Sequence, residues 1–506
     1  ITLEFLPTDV LHILFDILYD YGHTRDFKYD HEIHKGRFLL ALSECSRHLR
    51  GLTLPWIFRE VYNWATPDGS VWPQSVWPFL RTIHIRDRSM AHPGLIPVSL
   101  ALLDGLTLIP FLSKITVRLE SGVPADLLQA LSRAPSLTFL EIHQARFDGP
   151  FPSPSLSFPA LDRLSICIAG FEGVVRYEDL DCVKQASNIV TLLRGSSAQL
   201  VDLSISGDLI SPAFLDLKWP QLRTFTITEH TPIPYISVPK LVSQMPGLRE
   251  VSILYTADLS RDSDAGEMYP PFQLGDDRGM LCCPFLARAT LSNMAPTDPI
   301  FAQLPAGLQS LHLRAMFDGY HPILGFPKKL GHVPLTDATT QMTLQSLAHL
   351  ENLAALSLTV NDYPQSPLIR QVATVFPQLQ FLELYNSAFY WSHRAYLDVL
   401  DPAIADALQL FPHLTHLHIS MNLQHISITC IDVEGAQQRG ARWLFKSLPS
   451  LKIIAFSRAQ YWYVSGFDRV VWRHYDRSLL LQPEIPPPIE IPIPESYIPT
   501  IMQLPT

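Results

Sequence analysis

Phe376-Pro377-Gln378-Leu379-Gln380-Phe381-Leu382-Glu383-Leu384 is the stretch whose reading decides the fold. By residue type it runs apolar, proline, any, leucine, any, any, apolar, any, apolar. Trp77-Pro78-Phe79-Leu80-Arg81-Thr82-Ile83-His84-Ile85, far upstream, is built the same way. Leu112, Leu137, Leu161, Leu200, Leu222, Leu248, Leu286, Leu308, Leu353, Leu414 and Leu451 anchor further versions of the phrase. Successive anchors stand 22 to 45 residues apart, the range of stacked repeat proteins. Such repeats build long exposed surfaces, so the pattern points to recognition before catalysis.

The prolines carry more weight than the leucines. Apolar residues make up 47% of the chain, so Leu-x-x-apolar-x-apolar arises often by chance. Proline stands two places before the anchor at Pro78, Pro110, Pro135, Pro159, Pro220, Pro246, Pro284, Pro377, Pro412 and Pro449. That is ten of thirteen anchors, where 43 prolines in 506 residues would put about one. Proline cannot continue a helix, and it pushes the preceding residue toward extended geometry. Each phrase therefore marks a helix stopping and a short strand starting. Amphipathic runs of helical length precede several phrases: Ala125 to Ala134, Cys182 to Arg194, Gln365 to Phe376, Asp401 to Phe411 and Gly435 to Leu448. Strand plus helix, repeated, predicts an α/β solenoid over residues 75–460, a curved parallel sheet with helices outside.

The phrase resembles the leucine-rich repeat, whose core reads Leu-x-x-Leu-x-Leu ahead of an Asn or Cys ladder. Leu308-Gln309-Ser310-Leu311-His312-Leu313 and Leu379 to Leu384 match that core. Asn361 and Asn422 stand where the ladder is expected, and the other repeats lack it. The resemblance implies a degenerate array with irregular insertions.

Residues 1–64 lack the phrase and read as helices. Pro7-Thr8-Asp9 opens the first, with proline at its start and a capping residue behind it. Two apolar stripes follow: Val10, Ile13, Leu14 and Ile17 on one side, Leu11, Phe15 and Leu18 on the other. A helix apolar nearly all round needs cover on more than one face, and so short a segment cannot supply it alone. The solenoid or a separate protein must cover the surplus stripe. Phe38 to Arg50 reads as a second helix and Leu54 to Val61 as a third.

This succession resembles the F-box. Leu6-Pro7 with Asp9-Val10, Cys45 with Arg47, Leu49-Arg50, and Pro55-Trp56-Ile57-Phe58-Arg59 match its pattern piece by piece. The first inter-helix loop is longer than usual, and Ser46 separates Cys45 from Arg47. An F-box ahead of degenerate repeats is similar to many fungal F-box proteins. The resemblance implies a three-helix module, residues 1–64, that binds a Skp1-like adaptor and through it a cullin. Its contact residues would be Leu6, Pro7, Val10, Leu11, Ile13, Leu14, Leu18, Leu39, Leu42, Pro55 and Trp56. The implied role is substrate receptor of an SCF-type (Skp1–cullin–F-box) ubiquitin ligase, cytoplasmic and/or nuclear. The rival is an intracellular repeat scaffold whose N-terminal helices only cap the solenoid.

Residues two, four and six places after an anchor should project from the concave face. They include His84, Arg86, Lys114, Arg118, Phe139, His143, Arg163, Arg288, His312, Arg314, Phe381, Tyr385, His416 and His418. Glu141, Asp202, Glu250 and Glu383 dilute this basic set. Basic groups with occasional aromatics suit an acidic or phosphorylated protein segment.

A net charge of −10 argues against sequence-independent nucleic-acid binding. No run of 18 apolar residues occurs, so no membrane span is expected. Six cysteines without Cys-x-x-Cys spacing, and asparagines without a glycosylation sequon, read as a reduced intracellular chain. Cys45 and Cys282-Cys283 read as small buried apolar residues. Gly-x-Ser-x-Gly, phosphate-loop and dinucleotide patterns are missing, so the expectation is no enzyme and no cofactor. His31-Glu32-Ile33-His34 near His23 lacks a third ligand, and His416 and His418 read as binding-face contacts, so no metal is expected. Past Ala459, residues 461–481 read as a capping hairpin: Tyr461 to Val464, a Ser465-Gly466 turn, then Phe467 to Trp472. Residues 482–506 form a proline-rich tail of extended or disordered type.

Overall fold

The Pro-x-Leu step of the phrase is a closed turn. At Leu80, Leu137, Leu161, Leu248, Leu286, Leu379, Leu414 and Leu451 the anchor N–H donates to the carbonyl three residues earlier. Each turn has its proline in second position, where the fixed φ of the ring presets the bend. The proline thus does more than stop a helix: it shapes the entry to the strand. The computed structural model describes residues 6–480 except 22–36, 65–72, 87–99, 120–121, 144–145, 148–155, 168–181, 230–235, 237, 256–282, 293, 295–297, 315–336, 361–363, 387–401, 421–432 and 460–469. All thirteen anchor leucines are buried.

A strand begins two residues after every anchor. These strands are β2 (Thr82–Arg86), β3 (Lys114–Arg118), β4 (Phe139–His143), β5 (Arg163–Ile166), β6 (Asp202–Ser206), β7 (Thr224–Glu229), β8 (Glu250–Tyr255), β9 (Arg288–Ser292), β10 (Ser310–Arg314), β11 (Ala355–Val360), β12 (Phe381–Asn386), β13 (His416–Ile419) and β14 (Ile453–Ala459). With β1 (Glu60–Trp64) and β15 (Val470–Asp476) they form one 15-stranded sheet in sequence order. Pairing is parallel from β1 to β14. The carbonyl of the residue after each anchor but the last accepts two N–H groups of the next repeat, as Gln380 does from Thr415 and His416; Lys452, after the last anchor, accepts Arg477 of the cap. Residues three and five after the anchor, such as Leu382 and Leu384, point into the core.

The expected helices are present at Ala125–Ser132, Cys182–Arg194, Ser366–Val375, Pro402–Leu408 and Val433–Ser447. Their buried faces and the inward strand residues make one continuous core from Val61 to Tyr475. Burying each anchor leucine contributes roughly 1.5–3 kcal/mol, so the array is held by repetition of a small term. This is a leucine-rich-repeat-like α/β solenoid with a helical N-terminal part, as expected. Asn361 and Asn422 lie outside the described residues.

Both ends depart from the expectation. Strand β1 falls inside the segment read as helical, because Phe58 takes the anchor place and Arg59 offers its carbonyl to Arg81 and Thr82. Trp56 stands where the proline should be, which hid this repeat. At the other end β15 pairs antiparallel with β14 itself, Val470 opposite Ala459 and Asp476 opposite Ile453. The expected first hairpin strand, Tyr461 to Val464, lies outside the described residues, as does the proline-rich tail. Arg477 closes the cap by donating to the carbonyls of Leu448, Pro449 and Leu451.

The N-terminal helices are α1 (Thr8–Tyr21), α2 (Arg37–Cys45) and α3 (Arg47–Ile57). The expected single helix from Phe38 to Arg50 is divided at Ser46, whose extended backbone (φ −156°) and hydroxyl cap α3 by accepting the Leu49 N–H. The expected third helix at Leu54 is the last part of α3. Cys45, expected in the core, is exposed at the end of α2.

Two substitutions test this account. Leu379→Asp places an unpaired charge in the continuous core, at a cost of several kcal/mol, and should abolish soluble expression. Asp298, buried at the start of the Ile300–Gln303 turn of helix, donates nothing and accepts the Ile300 N–H at 2.9 Å. Burial, opposed by that hydrogen bond, pushes its carboxyl up to about 6. A raised acid pKa means the charge opposes folding above about pH 6, and that the opposition fades as pH falls toward the ordinary value of 3.8. Asp298→Asn should therefore unfold at higher temperature than wild type at pH 7.5, the gap shrinking by pH 5; a constant gap in a thermal melt series would contradict this.

Candidate functional site: the concave sheet face and the open helix stripe

Side chains two, four and six places after the anchors line the concave face, because strand residues alternate between faces. The expected basic set does not stand free there. Lys114 Nζ lies 2.9 Å from Glu141 Oε2, and His143 Nε2 lies 3.1 Å from Glu141 Oε1. Thr116 donates to the same carboxylate at 3.1 Å. The hydrogen bond from His143, and then Lys114, outweigh burial and hold the Glu141 carboxyl down at about 2. Lys114 also sits 4.5 Å from the centre of the Phe139 ring, within cation–π range.

A second cluster occupies β11 to β15. Glu383 accepts the Ser357 hydroxyl at 2.6 Å and faces His418 Nδ1 at 3.1 Å. Burial pushes the Glu383 carboxyl up, but the His418 and Ser357 hydrogen bonds win and leave it below its ordinary value. The Phe381 ring lies edge-on to His418 at 4.8 Å, and His474 lies edge-on to His418 at 5.1 Å. His416 packs near Phe381 at 6.5 Å and bonds Thr415 Oγ1 at 2.8 Å. Burial holds the pKa of His416 and of His474 down, with His418 adding to both. Burial and then Arg314 do the same to His312, which shares a hydrogen bond with Ser310.

Elsewhere His84 Nε2 lies 2.6 Å from Glu60, and Arg288 pairs with Glu250 at 2.9 Å. Arg163 is exposed, 4.0 Å from Asp162. Tyr385 is half-buried on β12, and Arg118 half-buried on β3. Arg86 ends β2, its side chain outside the described part. Arg314 is exposed and has no ion-pair partner among the described residues. The expected basic surface is thus largely neutralised by glutamates that stand two or four places after neighbouring anchors. Between the clusters lies a band of hydroxyls, Ser165, Ser204, Thr226, Ser252 and Thr290, each four places after its anchor. The same spacing makes this band visible in the sequence, though it was not expected. Groups of three or more His, Cys, Asp or Glu suited to a metal ion do not occur among the described residues. His23, His31 and His34 lie outside them.

On the helical module the surplus stripe of α1 is open. Ile13 is 62% and Ile17 57% exposed, Val10 on the same helix is exposed, and so is Leu40 on α2. Pro7 and Pro55 are exposed, while Leu6, Leu14, Leu18, Leu42 and Trp56 are half-buried. Leu11 and Leu39 form the module's own core with Phe15 and Tyr19, so they stabilise it rather than meet a partner. Tyr19 donates to Glu60 at 2.9 Å, and Asp16 stands 3.8 Å from Arg59, joining α1 to the first repeat. Among the described residues no helix is long and apolar enough to cross a membrane.

Similar folds are found among solved structures. Rad7 in the yeast Rad7–Elc1 complex has 14% identity and a TM-score of 0.37, over 83% of this chain and 91% of that one. The mouse RP105/MD-1 complex gives 14% identity and a TM-score of 0.32, over 74% of this chain and 58% of that one. The leucine-rich repeat-containing protein LegL7 from Legionella pneumophila gives 14% and 0.33, over 70% and 86%. No protein-family model matches the sequence, and no curated protein matches it.

Charge reversal tests the concave face as a recognition surface. Arg118→Glu with Arg314→Glu should change the proteins captured by the full chain, read by quantitative mass spectrometry. An unchanged set would place recognition away from this face.

Proposed function

We propose that this chain is a substrate-recognition adaptor of an SCF-type ubiquitin ligase, with the helical module binding a Skp1-like adaptor and the repeats holding a protein substrate. The observation that carries this reading is the open apolar stripe of Val10, Ile13 and Ile17 on α1, with Leu40 of α2 exposed as well. A module that only capped the solenoid would turn its apolar surface inward. Here α1 reaches the first repeat through Tyr19 to Glu60 and Asp16 to Arg59, Trp56 and Ile57 pack on the small core of Leu11, Phe15, Tyr19 and Leu39, and the stripe stays outside both. Of the F-box-like signature, Pro7, Val10 and Pro55 are exposed, Leu6 and Trp56 are half-buried against the module core, and Leu49 is buried. The chemistry asked of the chain is proximity alone: holding a substrate beside a ubiquitin-charged enzyme turns a bimolecular encounter into a local one. No bond is made or broken by the adaptor in this role.

Ile13→Asp with Ile17→Asp adds two charges at positions that are already exposed, so the fold should survive. Burial of apolar side chains at an interface of this kind is worth roughly 2–5 kcal/mol per large residue. The double variant should therefore lose co-purification of a Skp1-like protein while keeping the wild-type melting temperature. Retained binding in this variant, and in a chain lacking residues 1–57, would reject the adaptor reading in favour of a scaffold.

A further inference from the structure

Cys167 stands six places after Leu161, the place that His143 holds after Leu137. Adjacent repeats bring the two side chains together. His143 Nδ1 lies 3.1 Å from Cys167 Sγ, and His143 Nε2 lies 3.1 Å from Glu141 Oε1. A carboxylate therefore orients one ring nitrogen while the other meets a thiol. The Glu141 carboxylate is firmly ionised, since its hydrogen bond from His143 and its contact with Lys114 outweigh burial. Cys167 is half-exposed, on the concave face rather than in the core. Cys283 is the contrast within the same chain: it is 1% exposed, and its sulfur meets the carbonyl of Val242.

We propose that Cys167 is a nucleophilic thiol, activated by His143 and Glu141, whose co-reactant is an anionic disulfide of the glutathione type. His143 Nδ1 is within reach of the thiol proton, and the thiolate left by its transfer is the species that attacks. Glu141 orients the His143 ring from the far side, as the third member of a nucleophile–base–orienter set does. The preference for an anion comes from the row six places after the anchors. Arg118 is in register with His143 there, and Ser206 follows Cys167, so among the described residues that row adds a cation and no carboxylate, while the Glu141 carboxylate of the row before it is taken up by Lys114 and His143. Among the described residues the other charges near the site are Glu141 itself, Lys114 on β3, Arg163 beside Asp162 at β5, and Asp202 on β6; they lie in the rows nearer the anchors or just before the strand.

The step is a thiol–disulfide exchange. The Cys167 proton passes to His143 Nδ1, and the thiolate attacks one sulfur of the disulfide. That S–S bond breaks as the Cys167 S–S bond forms, and the departing thiolate takes the proton from His143. The product is a mixed disulfide that places an anionic peptide on the concave face, where it would obstruct a bound segment. This holds whether or not the chain serves a ubiquitin ligase.

The test measures alkylation of individual cysteines in the full chain by iodoacetamide near neutral pH, read by peptide mass spectrometry. Cys167 should react at least ~10-fold faster than Cys45, although Cys45 is the more exposed. His143→Gln should remove that advantage and leave the Cys45 rate alone, with Cys283 staying unlabelled as the sign that the core is intact. Glutathione disulfide should form a mixed disulfide at Cys167 faster than the cationic disulfide cystamine does. Equal rates at Cys167 and Cys45 in the wild-type chain would overturn the activated thiol without recourse to any variant. So would an unchanged Cys167 rate in His143→Gln, and cystamine outpacing glutathione disulfide would overturn the anionic co-reactant.

Discussion

The carbonyl of the residue after every anchor but the last accepts two N–H groups from the following repeat, and the rest of the molecule depends on that shared contact. It fixes the register of the parallel ladder, as where Arg81 takes both Ser113 and Lys114, or Gln309 both Ala354 and Ala355. The Pro-x-Leu turn delivers the chain to that point at a set angle, and the leucine locks it by burial. Neither part is strong alone. Because each repeat touches only its neighbours, the stability of the whole is close to a sum of local terms. Irregular insertions of any length are tolerated so long as the chain returns to the same turn.

A stacked sheet leaves two open edges, and each is closed differently here. At the end of the array β15 runs antiparallel to β14, and Arg477 ties it to three carbonyls of the last turn. At the start the helical module docks through Tyr19 and Glu60. The Asp16–Arg59 pair beside it has both side chains about half exposed and adds little. An apolar stripe on α1, with Ile13 and Ile17 more than half exposed, is left open after this docking.

The concave face is organised by neutralisation. Glutamates 60, 141, 250 and 383 each meet a cation or histidine from a neighbouring strand, or from their own. Charges held this way cost less to cover with a partner than isolated ones. Between the charged clusters the hydroxyl band from Ser165 to Thr290 offers donors and acceptors without net charge. An extended segment laid along this face would meet a histidine and aromatic patch at one end, hydroxyls in the middle, and the Glu141–His143–Cys167 group toward the other end.

The anchors, the strand starts and five of the helices were legible in the sequence because they rest on short-range constraints: proline geometry, leucine burial and strand alternation act within one repeat. The first repeat was not legible, since Phe58 and Trp56 replace the leucine and proline, and only pairing with β2 reveals it. Nor was the division at Ser46, where a side-chain cap overrides a continuous apolar pattern. Which residues face inward followed from spacing, but what they meet did not. Lys114 and Glu141 are far apart in sequence terms for an ion pair, as are His143 and Cys167, and the stacking of repeats puts them in contact. The sequence by itself determined the solenoid, because its repeat is local; the tertiary structure decided the charges, the open stripe and the thiol site, because those depend on which repeats become neighbours and at what offset.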